Sequence, residues 1–215
     1  MVRRRKVNNM LGLAVLAALA ERPMHPYEMA AVLRERGKDE DMPIKWGTLY
    51  TVVRNLEKYG FITVSESVRD GSHPERTIYQ ITREGRVEFA DWVRDLLAEP
   101  QREQPKFMAA LSVWQVLGPE EAMRLLRQRL TLLDAEVADR RTTLMGYAGD
   151  LPRIFLVESE YGLAMREAEA AWIRSLLDEL TTGSFPDLGA WREWYETGRL
   201  PSEVRSPTER GEQSD

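Results

Sequence analysis

Between residues 45 and 62 the chain alternates in the manner of a two-sided helix. Leu49, Val52, Val53 and Leu56 fall at i, i+3, i+4 and i+7, the spacing that buries one stripe of a helix. The opposite side carries Thr48, Tyr50, Thr51, Arg54, Asn55 and Lys58, with no acid until Glu57. Gly60 is placed to stop this helix, and Phe61-Ile62 opens a stretch of strand character. Upstream, Asn8 or Asn9 predicts the cap of a first helix to about Arg22, striped by Leu11, Ala14, Val15, Ala18 and Leu19. Pro23 ends that helix, and a second is predicted from Pro26, with Met29, Ala30 and Leu33 inward and Gly37 closing it. Downstream, Ile62, Val64 and Val68 share one face of a predicted strand, and Thr77, Tyr79 and Ile81 share one face of another. The intervening Asp70-Gly71-Ser72-His73-Pro74 has turn composition. Thr82 then predicts the cap of a fourth helix to Ala98, with Val87, Trp92, Val93 and Leu96 among its apolar residues.

Helix, helix, helix, strand, strand, helix is the order of a winged helix-turn-helix module, a small α+β unit with a two-stranded wing. The polar, proline-flanked run from Glu99 to Pro105 marks a boundary, giving a domain over 1–98. The remainder predicts helices: Lys106 to Leu117, Pro119 to about Tyr147, and Pro152 to about Leu180. Met123, Leu126, Leu130 and Leu133 alternate spacings of 3 and 4, a seam for shallow-angle helix packing, and Met165 and Trp172 lie on the third helix at the same spacings. Two such helices cover each other poorly, so these six residues are expected to serve dimerisation. The fold class is therefore mainly α: an N-terminal winged helix domain, an antiparallel helical dimerisation and effector domain over 99–183, and an extension over 184–215. In the extension, Leu188, Trp191, Trp194 and Tyr195 predict a short docking helix, and Pro201 to Asp215 has the composition of a disordered tail.

Charge refines this division. The net charge of −5 combines +2 over residues 1–98 with −7 over 99–215. An acidic whole argues against indiscriminate nucleic-acid binding, whereas a mildly basic first half permits a local cationic surface. The absence of cysteine excludes disulfides and thiolate metal sites, and the two histidines, His25 and His73, sit in no metal-ligand spacing. Arg3-Arg4-Arg5-Lys6 before an apolar stretch imitates a signal peptide, but the stretch is shorter than the roughly 20 residues a membrane span requires. A cytoplasmic protein without membrane attachment is expected. No Gly-rich phosphate loop, nucleophile elbow or acid pair placed to shift a pKa is present, so neither catalysis nor a cofactor is expected.

The residues also resemble a known family, the PadR-type transcriptional regulators. The likeness is carried by Leu11-Gly12-Leu13, Arg22-Pro23-Met24-His25-Pro26-Tyr27-Glu28, Gly47-Thr48-Leu49-Tyr50, Leu56-Glu57, Gly60-Phe61-Ile62 and Tyr79-Gln80-Ile81-Thr82-Arg83-Glu84-Gly85-Arg86. In the second half, Glu160-Tyr161-Gly162-Leu163 and Glu167-Ala168-Glu169-Ala170-Ala171-Trp172 look like the last helix of the family's dimerisation domain. The chain departs at Pro26, where the family usually has Gly, and at Thr51, often Pro.

The resemblance implies a ligand-responsive homodimeric repressor acting on a palindromic operator in double-stranded DNA. Thr48, Tyr50, Thr51, Arg54 and Asn55 would then face the major groove, with Arg54 and Asn55 on base edges, since Arg pairs bidentately with guanine and Asn with adenine. Tyr27, Lys45 and Lys58 would contact phosphates, and Arg69, Ser72, His73 and Arg76 would form the wing's contacts with the minor groove or its backbone. The family also binds planar organic ligands, which implies a small aromatic effector near Phe107, Trp114, Tyr161 and Trp172. Taken without the resemblance, the same polar face also fits a solvated surface, and the aromatic residues also fit core packing. A winged-helix adaptor that binds protein, or an enzyme, are the rival classes.

Overall fold

The computed structural model describes residues 6–38, 42, 44–68, 76–147 and 149–198. It divides into two compact units, Met1–Arg102 and Glu103–Asp215. The expected disordered tail from Pro201 onward lies outside the described residues.

The first unit is built around α1 (Met10–Glu21), whose start is capped by the Asn9 carboxamide oxygen accepting from the Leu11 amide at 2.9 Å. Its sequence is apolar nearly all round, and correspondingly Leu11, Leu13, Val15, Leu16, Ala18 and Leu19 are all buried. Around it pack α2 (Pro26–Glu35), α3 (Leu49–Lys58), β2 (Arg76–Ile81) and α4 (Arg83–Ala98). A central helix touched on several sides needs apolar residues all round, in contrast to the one-striped surface helix that the periodicity suggested.

The wing is an antiparallel pair of β1 (Ile62–Val68) and β2, with Ile62 opposite Ile81 and Val64 opposite Tyr79. A register irregularity follows between Val64 and Glu66. Val64, expected to point inward with Ile62, is exposed; so are Thr63, Ser65 and Glu66, because the hairpin leaves the helical core immediately after Ile62. Met24 adds an unanticipated bridge to the other edge of β2, exchanging both backbone hydrogen bonds with Tyr79 at 3.0 Å.

One junction fixes how the wing meets the helices. Thr82 caps α4 by accepting from the Gly85 amide at 3.0 Å, while its hydroxyl donates to the Gly60 carbonyl at 2.6 Å. Its own amide bonds the Phe61 carbonyl at 3.0 Å. A β-carbon on Gly85 would lie 1.9 Å from that same Phe61 oxygen, so only glycine admits the close approach of α4 to the end of α3. Within α4, Gly85 and Trp92 are buried, whereas the apolar Val87 and Leu96 are exposed.

In the second unit, α5 (Lys106–Leu111) stops short of the expected Leu117. Ser112 turns its hydroxyl onto the Ala109 carbonyl at 2.7 Å, and a 3-10 turn over Trp114–Val116 follows. The long α6 (Pro119–Tyr147) and α7 (Val157–Thr182) form a hairpin. Its side-chain contacts join Arg127 to Thr181, Asp134 to Arg174 and Arg141 to Glu167, rising numbers on one helix against falling numbers on the other, which makes the pair antiparallel. A 3-10 turn at Arg153–Phe155 precedes α7, where the sequence suggested a helix from Pro152. Finally α8 (Leu188–Thr197) lays Leu188 and Trp191 into the same core. The Trp191 indole N–H donates to the Leu117 carbonyl at 2.9 Å, satisfying its one polar atom.

Candidate nucleic-acid interface

The segment opening α3 is short and heavily pinned. A 3-10 turn at Trp46–Thr48 leads into α3, and the Thr48 hydroxyl donates to the Lys45 carbonyl at 2.8 Å. Thr48, expected as a free groove donor, thus uses its proton to shape the helix entrance. Leu49, Val52, Val53 and Leu56 are all buried against α1 and its neighbours. Opposite them Tyr50, at 59% exposure, Thr51, Arg54, Asn55 and Lys58 face solvent together, with Lys45 exposed just upstream. The helix closes where the Phe61 amide returns to the Leu56 carbonyl at 2.9 Å across Gly60, which takes φ +75°. Both ends of the polar face are therefore held by short-range bonds that the sequence dictates.

Glu57 is the one carboxylate of α3, and its location decides the electrostatics of the face. It is half-buried and hydrogen-bonded to the Tyr79 side chain of β2. Burial, first, and then the nearby Glu57 charge push the Tyr79 phenol above its ordinary value, so it stays protonated and donates to the carboxylate; Arg54 beside it acts in the opposite sense. This acid is thereby tied to the wing strand and satisfied there. A face of hydroxyls, an amide and cations remains, which suits a polyanion.

Residues outside α3 add to the same unit, one of them expected and others not. Tyr27, 75% exposed at the start of α2, is oriented by its backbone: its amide donates to His25 Nδ1 at 3.2 Å, so His25 is the helix cap. The Arg34 guanidinium stacks over Trp46 at 4.3 Å from the ring centroid, placing another cation beside the helix entrance. Lys6 lies 5.5 Å from the Tyr59 ring centroid, near the other end of α3. Both contacts join residues far apart in the chain, and nothing in local periodicity signals them. Of the expected wing contacts, Arg69, Ser72 and His73 lie outside the described residues. Arg76 opens β2 opposite Val68 in the register. Arg3, Arg4 and Arg5 likewise fall outside the described residues.

The four aromatic residues expected to line a ligand site separate into two places and one outlier. Phe107 and Trp172 meet edge-to-face, 6.2 Å between centroids, on a recess of about 440 Å³. Trp114 packs instead on Trp191 at 4.5 Å and on Phe185 at 6.2 Å, partly buried against the core. Tyr161 is exposed and lines neither. The residues expected to serve dimerisation also divide. Leu126 and Leu133 are buried against α7 of their own chain, and Met123 and Leu130 are half-buried on the same core, so the seam is consumed within the protomer. Met165 and Trp172 are exposed, and so are Leu132, Met145, Ile154 at 76%, and Phe155, none of which the seam had singled out.

Among the described residues no group of three or more metal-ligating side chains gathers, and no helix is long and apolar enough to cross a membrane.

Residues 15–91 match the family model described as the transcriptional regulator PadR-like family. The chain is 24% identical over 126 residues to the negative transcriptional regulator PadR of Bacillus subtilis (strain 168), covering 59% of this chain and 68% of that protein. The crystal structure of Bacillus subtilis PadR in complex with operator DNA superposes with a TM-score of 0.65 at 21% identity, over 80% of this chain and 99% of that one. The structure of the same protein in complex with p-coumaric acid gives a TM-score of 0.65 at 20% identity, over the same shares of the two chains. These structural likenesses extend to the winged-helix fold and the helices that follow it, and the family model and the curated relative are those of transcriptional regulators.

Proposed function

We propose, from the premise that residues 15–91 form a PadR-like transcriptional-regulator domain, that this protein is a homodimeric, ligand-responsive repressor that reads a palindromic operator. The observation that carries the reading is α3 itself. Its apolar stripe is fully used in the core, its only carboxylate is bonded to Tyr79, and what it presents outward is Tyr50, Thr51, Arg54, Asn55 and Lys58. Arg54 and Asn55 read base edges in the major groove, where planar donors and acceptors discriminate one pair from another. Tyr27, Lys45 and Lys58 flank them and hold phosphates, which fixes register without carrying sequence information. The wing brings Arg69, Ser72, His73 and Arg76 to the neighbouring minor groove or backbone.

Two copies are needed for a palindrome. The exposed apolar residues of the helical unit, Leu132, Met145, Ile154, Phe155, Met165 and Trp172, supply the surface that a second copy covers. A twofold pair then sets two α3 helices roughly 34 Å apart, one duplex turn. Occupancy of a promoter excludes polymerase, in the cytoplasm. An effector weakens binding only if it prefers the arrangement whose reading helices no longer match that spacing. Support also comes from the Bacillus subtilis relative, whose structures hold operator DNA in one case and p-coumaric acid in another.

Fragments selected from genomic DNA by the purified chain provide the test. Binding by fluorescence anisotropy is expected to favour the selected duplex and to weaken steeply as salt rises, because phosphate contacts release counterions. Absence of duplex binding at low salt would contradict the reading and favour a protein-binding adaptor.

A further inference from the structure

Three arginines surround α2, and they are held in different ways. Arg22, at the end of α1, pairs with Glu28 at 2.6 Å, and Arg36, just past α2, pairs with Glu21 at 2.8 Å. Each of those guanidinium groups is matched by a carboxylate. Arg34, in the last turn of α2, lies instead over the Trp46 ring, 4.3 Å from its centroid. Among the described residues no carboxylate pairs with it. The ring is itself held, since Trp46 is half-buried and packs against the core of the first unit. A guanidinium stacked on an aromatic face keeps its N–H donors in the plane of the fork, free to meet an oxyanion bidentately. The place on α2 matters as much as the packing. Tyr27, Ala31 and Arg34 fall at i, i+4 and i+7 and all are exposed, so they form one outward stripe roughly 10 Å long with a small residue at its middle. Lys45, exposed and next to Trp46 in the chain, adds a second cation nearby.

We infer that Arg34, held by Trp46, binds a backbone phosphate of the duplex, so that α2 lies across the strand bordering the groove that α3 enters. The inference rests on the proposed function for its ligand and adds a contact to it. In helix-turn-helix proteins the helix before the reading helix crosses the sugar-phosphate backbone, and an outward stripe that ends in a preset cation suits that placement. Arg34 supplies affinity without sequence information, because a phosphate is the same at every base pair. Trp46 is a positioning residue. It fixes the plane of the guanidinium before DNA arrives, so less side-chain freedom is lost on binding. A purely structural role for Arg34 differs in kind. A cation in the last turn also offsets the negative end of the helix dipole, and that role shows in stability, not in the dependence of binding on salt.

Anisotropy titrations of the full chain with the selected duplex and with a shuffled duplex of equal length, each over a series of salt concentrations, test the assignment. Arg34→Gln is expected to weaken both duplexes by the same factor, about threefold to tenfold, and to reduce the slope of log affinity against log salt by about 0.9, the value of one phosphate contact. The ratio between the duplexes and the urea midpoint should stay where they are. Trp46→Leu keeps the cation and removes its support. It is expected to weaken both duplexes severalfold, with most of the loss restored in Trp46→Phe and no further loss when Trp46→Leu is added to Arg34→Gln. An unchanged slope for Arg34→Gln overturns the contact, and an altered ratio between duplexes overturns it equally by moving Arg34 to a base. Trp46→Phe no better than Trp46→Leu, or a further loss in the double variant, overturns the positioning role. Arg34 is exposed, so Arg34→Gln decides the contact even if Trp46→Leu fails to fold. A chain that binds its selected duplex while Arg34→Gln leaves the slope alone loses this assignment only. No duplex binding by the unaltered chain removes the regulator, and the phosphate contact with it.

Discussion

The two units of this chain solve burial in opposite ways. In the first, α1 is enclosed, and Leu11, Leu16, Leu56 and Met29 lose essentially all contact with water. What it leaves exposed around α3 is polar or cationic, apart from the aromatic rings of Tyr27, Tyr50 and Tyr59. In the second, two long helices share one stripe centred on Leu126, Leu133, Ile173 and Leu177, while Met145 at 73%, Ile154, Phe155 and Trp172 at 47% stand in solvent. The first unit encloses its core and keeps a polar face on α3, although Val87 and Leu97 of α4 stand in solvent. The second keeps apolar surface unsatisfied, as an element meant to meet another molecule does. A polar face held in place and an exposed apolar face are the two features the proposed DNA-reading pair requires.

The difference can be broken at its firmest point first. Gly85→Ala is expected to be the most damaging substitution, because the new methyl meets the Phe61 backbone oxygen and cannot be relieved by a side-chain rotation. Loss of the cooperative unfolding transition, or a stability loss of several kcal/mol by urea titration, is the expected outcome, at the large end of single-residue effects. Leu56→Ala in the first unit should cost about 2–5 kcal/mol by the same measurement, the usual range for a fully buried leucine. Leu132→Ala, on an exposed position of α6, should change protomer stability by no more than about 0.5 kcal/mol and instead weaken self-association seen by sedimentation. A large protomer loss for Leu132→Ala would erase the contrast between the two units.

Smaller effects probe the interface. Arg54→Ala should lower affinity for the selected duplex by about 1–3 kcal/mol and flatten the preference at one base position, measured by anisotropy across single-base variants. Unchanged preference would move Arg54 from the bases to the phosphates. Smallest is the ion pair between α1 and α2. Hydrogen bonding from Arg36, chiefly, holds the Glu21 carboxyl below its ordinary value. A lowered folded-state value means that the contribution is complete above the ordinary carboxylate range and disappears as pH falls through the lowered one. Both groups are half-exposed, so solvent screening keeps the effect small. Glu21→Gln should therefore narrow the gap between stabilities measured at neutral pH and near pH 3, and leave duplex preference unchanged.

Much of this was legible because the first unit is governed by local rules. The i, i+3, i+4 stripe of α3, the Asn9 and Thr82 caps and the Gly60 stop are each decided within a few residues, and the chain spells them directly. The alternation of β1 and β2 is equally local, and the two strands pair, while the expected turn at Asp70–Pro74 lies outside the described residues. Contacts between distant positions were not legible. Tyr79 holding Glu57, Arg34 stacking on Trp46 and Met24 bridging to Tyr79 depend on tertiary approach that periodicity does not encode. In the helical unit, the same 3-and-4 spacing that marks a seam between subunits also marks one between α6 and α7, and the sequence alone does not distinguish them. Trp114 shows the same ambiguity: an aromatic residue near other aromatic residues in sequence proved to pack against the core, whereas Phe107 and Trp172 reached the recess.

The pairing of reading helices across a duplex is measured most directly by moving the two halves of the operator. A five-base-pair insertion between half-sites places them on opposite faces of the helix without changing either sequence. Sedimentation of the full chain with the selected duplex should give two chains per duplex, and the insertion should cost at least about tenfold in affinity. One chain per duplex, with affinity indifferent to the insertion, would contradict it.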